Sequence, residues 1–427
     1  MRLRSATLLG FAAAAVGASF VFCNIYTPDL VGGEGSPDAG TGIGWWSKPV
    51  GTCFSAGIPK PSDRPAAASA VNIPPITVAL RTMRIGSQDA DNNLSLQAWK
   101  DLGFDLDGVC TSPDTCAVDA IGSCKPTTAA VVTDGNYCRD NSFGRLEGLA
   151  ANIPAVGGKY GLNDDAFNCG LYTGAYNFLI KISAYNGTPN DDQVRLDFYP
   201  SPGLESVLLG DCTSKTWRTS SVGWRVDQPW LIRDTAVTAP LGGPELPDAV
   251  LVDTSAYIRD GYLVANLPKD ALFWFPSIKG RTANVATPFP LRFVSGIVTG
   301  HLKKAADNTW AIEDGIIGGR TRETDVLEGF RLIGFCESTD TNFKQMNDYL
   351  HSGLDILASG ANDPSATCDA ISVGIAYTAM QATAGKLVHV DDLVECPAVV
   401  TDGGTDGSAD GGSDAGAPDA PLDAPGQ

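Results

Sequence analysis

Cys23 and ten further cysteines follow an apolar leader, and no other feature narrows the folding options of this chain as much. The leader opens Met1-Arg-Leu-Arg and then runs uncharged and apolar from about Ala6 to Phe22. Basic residues ahead of a short apolar run with small residues towards its far end form the layout of an export signal, whereas a membrane span needs about 20 apolar residues. Residues 1–22 are therefore expected to be a signal peptide. An exported chain reaches an oxidising compartment, where thiols pair. The cysteines of the body are Cys53, Cys110, Cys116, Cys124, Cys138, Cys169, Cys212, Cys336, Cys368 and Cys396. The set is even, so five disulfides are expected, with their connectivity left open by spacing. Cys23, directly behind the leader, is left over and is a candidate for lipidation, although Phe22 stands where a bacterial lipoprotein has a small residue. No Cys-x-x-Cys occurs and the three histidines are far apart, which speaks against a zinc ribbon or a dithiol redox pair.

Charge narrows the partners. The chain carries 49 acidic against 30 basic side chains. Without the two arginines of the leader and the six aspartates after Thr401, the body still holds a net −15. Such a body repels phosphate backbones and anionic lipid, so nucleic acid is excluded as a partner and membrane contact is left to a lipid anchor at Cys23. After Val400 the only large apolar residue is Leu422, and Asp recurs at 402, 406, 410 and 414 among Gly, Ala and Ser. Nothing there can offset the entropy of ordering the backbone, so 399–427 is expected to be a disordered acidic tail. A shorter Gly-rich stretch from Gly32 makes 23–69 a partly disordered spacer.

Between the spacers, strand patterns dominate. Ile76 to Ile85 alternates, and Phe178 to Tyr199 reads as a hairpin with a turn at 186–191. Val250 to Leu267 is a second hairpin with Asp260-Gly261 at its turn. Leu291–Leu302 and Trp310–Ile317 form a third pair. The period then lengthens. Thr321, Glu323 and Asp325 start one helix, and Asn342 to Ser359 is a second, stopped by Gly360. Ile371, Val373, Ile375 and Tyr377 return to alternation and close the sheet beside the first strand. The fold class expected is mainly β: one antiparallel β-sandwich of jelly-roll type over 70–398, with two late helices and disulfide-stapled loops.

Motifs of catalysis are missing: no Gly-x-Ser-x-Gly, no His-Glu-x-x-His, no phosphate loop, no dinucleotide fingerprint. The most distinctive stretch is Gly103-Phe-Asp-Leu-Asp-Gly, which leads into the cysteine-dense segment. Extended, Asp105 and Asp107 point to one side, and carboxylates so close repel unless a cation or donors lie between them. Calcium takes six to eight oxygens, so Asp105, Asp107, Asp134, Asp140 and Asn141 are its candidate ligands. The alternative is a solvated polar turn. Ser87 to Asn93 also carries oxygens but lacks the Gly and closing Glu of an EF-hand loop. Trp217, Trp224 and Trp230 could stack on sugars or pack in the core.

The surroundings of Phe104-Asp-Leu-Asp-Gly and of Cys368-Asp-Ala-Ile-Ser-Val-Gly-Ile, together with the tail, look similar to a group of uncharacterised secreted bacterial surface proteins with Asp/Gly/Ala-rich stalks. The resemblance implies export and brings no activity. The function expected is a non-catalytic exported protein at the cell surface, in the periplasm or outside the cell, binding a glycan or another surface protein. The alternatives are a secreted polysaccharide hydrolase using a carboxylate pair and a structural envelope protein.

Overall fold

Alternating apolar residues build eight antiparallel strands: β1 (Ile76–Arg84), β2 (Asn177–Ser183), β3 (Asp191–Ser201), β4 (Leu251–Arg259), β5 (Tyr262–Leu267), β6 (Ser295–Lys304), β7 (Trp310–Arg322) and β8 (Ala370–Gln381). The computed structural model describes residues 44–50, 53–67, 71–111, 121–129, 131–151, 163–206, 223–239, 246–275, 289–390 and Cys396. Each strand pairs with the next in sequence, and β8 pairs with β1, so the sheet closes into a barrel. The seam sets Thr82 opposite Thr378, and their hydroxyls hydrogen-bond at 2.6 Å.

The adjacency of first and last strands matches the sequence pattern, but the jelly-roll sandwich does not. A jelly roll divides its strands between two sheets with crossing connections; here sequence neighbours are sheet neighbours throughout one closed sheet. An amphipathic sheet can bury its apolar face against a second sheet or by curling on itself, and alternation is identical in both. Curling is favoured here by register shifts in β3, β6, β7 and β8, since bulges bend a strand and sharpen its twist.

The interior is solid. Val78 and Leu80 of β1, Ile180 of β2, Leu196 and Phe198 of β3, Ile258, Leu263, Val298, Ile312, Val373 and Ile375 are all buried in one cluster, as an eight-stranded barrel permits. Two further clusters cover parts of the outer wall. In one, Trp46 packs edge-on against Phe104 and Tyr262. In the other, Leu179 and Tyr199 lie under Trp224, Trp230 and Ile232. The Tyr257 hydroxyl donates to the Lys60 carbonyl at 2.9 Å, so residues 44–67, expected as spacer, lie in their described part against the barrel.

Four helices are described: α1 (Ser142–Ala151), α2 (Asp164–Thr173), α3 (Glu323–Leu332) and α4 (Phe343–Ser352). The last two are the helices expected from sequence. The fourth stops at Gly353 rather than near Ser359, because Ile356 leaves the helix to bridge Ala370 in β8. Helix α2 is tied to β1 by polar side chains. The Asn168 amide accepts from Met83 N and donates to Met83 O, while the Asp164 carboxylate accepts from the amides of Ile85, Ser87 and Gln88.

Disulfides join Cys110 to Cys138, Cys124 to Cys368 and Cys336 to Cys396, and Cys169 is also disulfide-bonded. The leader 1–22, Cys23, Cys116, Cys212, the Cys53 side chain, Trp217 and the tail from residue 399 lie outside what is described.

Candidate functional site

The loop from Leu102 to Cys110 lies flat on the outer wall of β7 and β8, and glycines make that approach possible. A Cβ on Gly374 would stand 2.5 Å from the Gly103 Cα, and one on Gly318 would stand 2.5 Å from the Phe104 ring. Gly103 itself has φ +97, a left-handed conformation natural to glycine. On its other side the loop pairs with Asp140, whose N–H donates to Phe104 O at 2.8 Å. Arg139, buried, donates from Nε to Gly103 O at 3.2 Å. The Cys110–Cys138 bond then closes the segment covalently.

This frame gathers carboxylates. Asp105, Asp107 and Asp140 each present an oxygen, all within 4.8 Å of one another. Asp140 Oδ2 accepts from Leu106 N at 2.6 Å and Asp107 N at 3.3 Å. Asp105 accepts from Gly108 N at 2.6 Å and from the Ser55 hydroxyl. Asp107 Oδ1 accepts from Val109 N at 2.8 Å. Two more aspartates stand around them. Asp134 accepts from the amide and hydroxyl of Thr111 at 2.6 and 2.7 Å, and Asp355 from Ser372 N at 2.8 Å and from its hydroxyl.

Burial dominates their electrostatics. Loss of water pushes Asp105 up to about 6, Asp355 to about 7 and Asp134 to about 8, and raises Asp107. Asp140 goes well above the carboxylate range, first through burial and then through the charges of the other four. Two cations oppose the five acids: Arg320 from β7 favours the ionised Asp107, and Lys48 favours the ionised Asp105. Arg320 also donates to Leu106 O at 2.6 Å.

Of the ligands expected from sequence, Asp105, Asp107 and Asp140 come together. Asp134 lies close enough to act on their charge but is held by Thr111. Asn141 is elsewhere: its Oδ1 accepts from Gly144 N and Gly374 N at 3.0 and 2.8 Å, capping α1, and its Nδ2 donates to Ile85 O and Trp99 O. Sequence reasoning missed Asp355 and Ser123. The Ser123 hydroxyl, 2% exposed, faces Asp107 and stabilises its charge without a hydrogen bond of normal geometry. Neither residue carries a local sequence signal, since each reaches the site through distant pairing.

The other leads resolve into structure. Asp89 Oδ1 accepts from Asp91 N and Asn93 N, so the 87–93 loop satisfies its own acid. Trp224 and Trp230 pack edge-on at 5.2 Å and are buried. His301 stacks on Tyr262, His351 pairs with Glu323, and His389 with Asp234. Helices α1 to α4, together with Ile85 and Phe289, line an apolar void of about 30 Å³ between Phe143, Phe167, Phe330 and Met346, with the buried Glu147 at its edge.

Fold and site together define a disulfide-stapled, eight-stranded antiparallel barrel with a buried carboxylate cluster on its wall. No family model matches the sequence, and neither a curated protein nor a solved structure matches it.

Proposed function

We propose that this chain is an exported binding protein without catalytic activity, acting at the cell surface, in the periplasm or outside the cell, whose partner is a glycan or another surface protein. One observation carries the reading: the barrel interior is filled with side chains, and of the gathered carboxylates Asp105 and Asp140 are buried while Asp107 is half-buried. A polysaccharide hydrolase needs two carboxyl groups about 5–9 Å apart flanking a bond that the polymer can bring to them. A cluster pressed against a barrel wall, with Asp107 alone half-exposed, does not present such a pair to a polymer. The leader, the acidic tail and the disulfides fit export, and calcium enters this reading as a structural ion. The test is a glycan array probed with the purified mature protein in millimolar calcium, alongside a reducing-sugar assay on the same polysaccharides. Retention on a defined glycan without release of reducing ends is expected. Steady release of reducing ends from any of them refutes the reading.

A further inference from the structure

We infer that Asp105, Asp107 and Asp140, joined by the hydroxyl of Ser123, form a site for one calcium ion that fastens the cysteine-rich segment to the loop on the barrel wall. The inference deepens the role given to calcium above and does not depend on which partner the protein binds. Calcium–oxygen distances of about 2.3–2.6 Å place ligands on opposite sides of the ion about 4.6–5.2 Å apart. The three carboxylate oxygens, within 4.8 Å of one another, fit inside that sphere. Their oxygens keep lone-pair capacity: Asp140 takes both amides on Oδ2, Asp107 takes its amide on Oδ1, and Asp105 takes Gly108 N on Oδ1 and the Ser55 hydroxyl on Oδ2, one donor to each oxygen.

Ser123 is the independent observation. Its hydroxyl is 2% exposed, makes no hydrogen bond of normal geometry and lies beside Asp107, whose charge it favours. A buried hydroxyl left unpaired costs stability, whereas a neutral oxygen beside carboxylates is an ordinary calcium ligand. Its position is fixed from both sides. Asp363 N donates to Ser123 O at 2.8 Å, and the next residue is tied to Cys368. Asn362 Nδ2 completes the connection by donating to Asp107 O at 2.8 Å. The donor set contains oxygen alone, which selects a hard cation. Its irregular loops suit calcium better than magnesium, which demands near-octahedral geometry. The opposing charges, Arg320 and Lys48, are outnumbered by the five aspartates.

The test uses the mature protein, stripped of metal by chelator, with calcium chloride as the only added ligand. Isothermal titration is expected to give one ion per chain. At a hundred times the dissociation constant the melting temperature should rise by about 4 °C. Asp107→Asn should abolish binding. Ser123→Ala, which keeps every carboxylate, should weaken calcium several-fold while the calcium-free melting temperature holds or rises; circular dichroism checks that both variants fold. A wild-type melting curve indifferent to calcium and to chelator overturns the site and the role of calcium together. Wild-type affinity in Asp107→Asn places the ion elsewhere and also overturns it. Wild-type affinity in Ser123→Ala alone overturns the ligand set and leaves calcium as a structural ion standing.

Discussion

Replacing Cys124 and Cys368 together by alanine removes the crosslink with the longest span described, 244 residues. In the chain-entropy account a crosslink stabilises by restricting the unfolded chain, and its effect grows with the logarithm of the loop it closes. A span of 244 gives about 5.5 kcal/mol, against about 3.6 kcal/mol for the 28-residue span of Cys110–Cys138. The other two described bonds barely shorten the path. Cys124 lies inside the loop closed by Cys110–Cys138 and Cys368 inside that closed by Cys336–Cys396, so the chain from 138 to 336 must still be traversed. With an unfolding entropy near 2.1 cal/mol/K per residue, a body of roughly 330 residues loses about 8 °C of melting temperature for the long bond and about 5 °C for the short one. Thermal unfolding of both double-alanine variants followed by far-UV circular dichroism, in chelator so that calcium does not enter, measures the difference. If the Cys124/Cys368 variant melts no lower than the Cys110/Cys138 variant, the loop-entropy argument is refuted.

Four further outcomes are expected. Gly374→Ala forces a methyl into the Gly103 backbone and should cost about 1–3 kcal/mol in urea unfolding, while an effect below about 0.5 kcal/mol would mean that the loop does not sit against the wall. Arg195 donates twice to the fully buried Asp197, so Arg195→Ala leaves that carboxylate without its cation, held by the Ala249 amide, and should cost about 3 kcal/mol. Lys303→Ala, at the exposed pair with Glu313, should cost less than about 1 kcal/mol; equal costs would contradict the contrast in burial. Burial raises Asp164 to about 6 and Glu147 well above its usual range, and an unfolded Asp titrates near about 3.9. Between those values the folded chain holds more protons than the unfolded one, so stability falls as pH rises, and without calcium the aspartate cluster extends the same trend to about 8. The melting temperature in chelator should therefore drop from about pH 5 to about pH 8, and a rise over that interval would reverse the sign of the argument.

The strands were legible because period-two alternation is a local property. Ile180 and Ile182 face the core and Lys181 does not, whatever the sheet does at its edges. That the strands curl into one sheet instead of dividing between two was not legible, because curling depends on bulges such as those in β6 and β7 that leave no mark in an apolar pattern. Helix α1 escaped notice because Gly144 and Gly148 lower its propensity; they are there because Gly144 packs against Ile85 O and Gly148 lies near Gly86. In the site, Asp105 and Asp107 announced themselves by proximity along the chain. Asp355 could not, being brought in by the return of the chain into β8. Asn141 was placed among the ligands for its oxygen. Its position just ahead of Ser142, where asparagine caps a helix, was the stronger signal.

The seam between β1 and β8 has a mechanical consequence. Val78 lies opposite Gln381, so the chain enters the first strand and leaves the last at the same rim. A pull applied to the two ends therefore peels this seam open pair by pair instead of shearing it all at once. The tear meets Cys124–Cys368, through which tension crosses from one side of the chain to the other. Strands β2 to β7 all lie between those two cysteines and so fall outside the path of the force. Under tension the molecule would lengthen by its outer segments and keep six strands paired. With that one bond reduced, the same pull would reach into the strands that lie between the two cysteines.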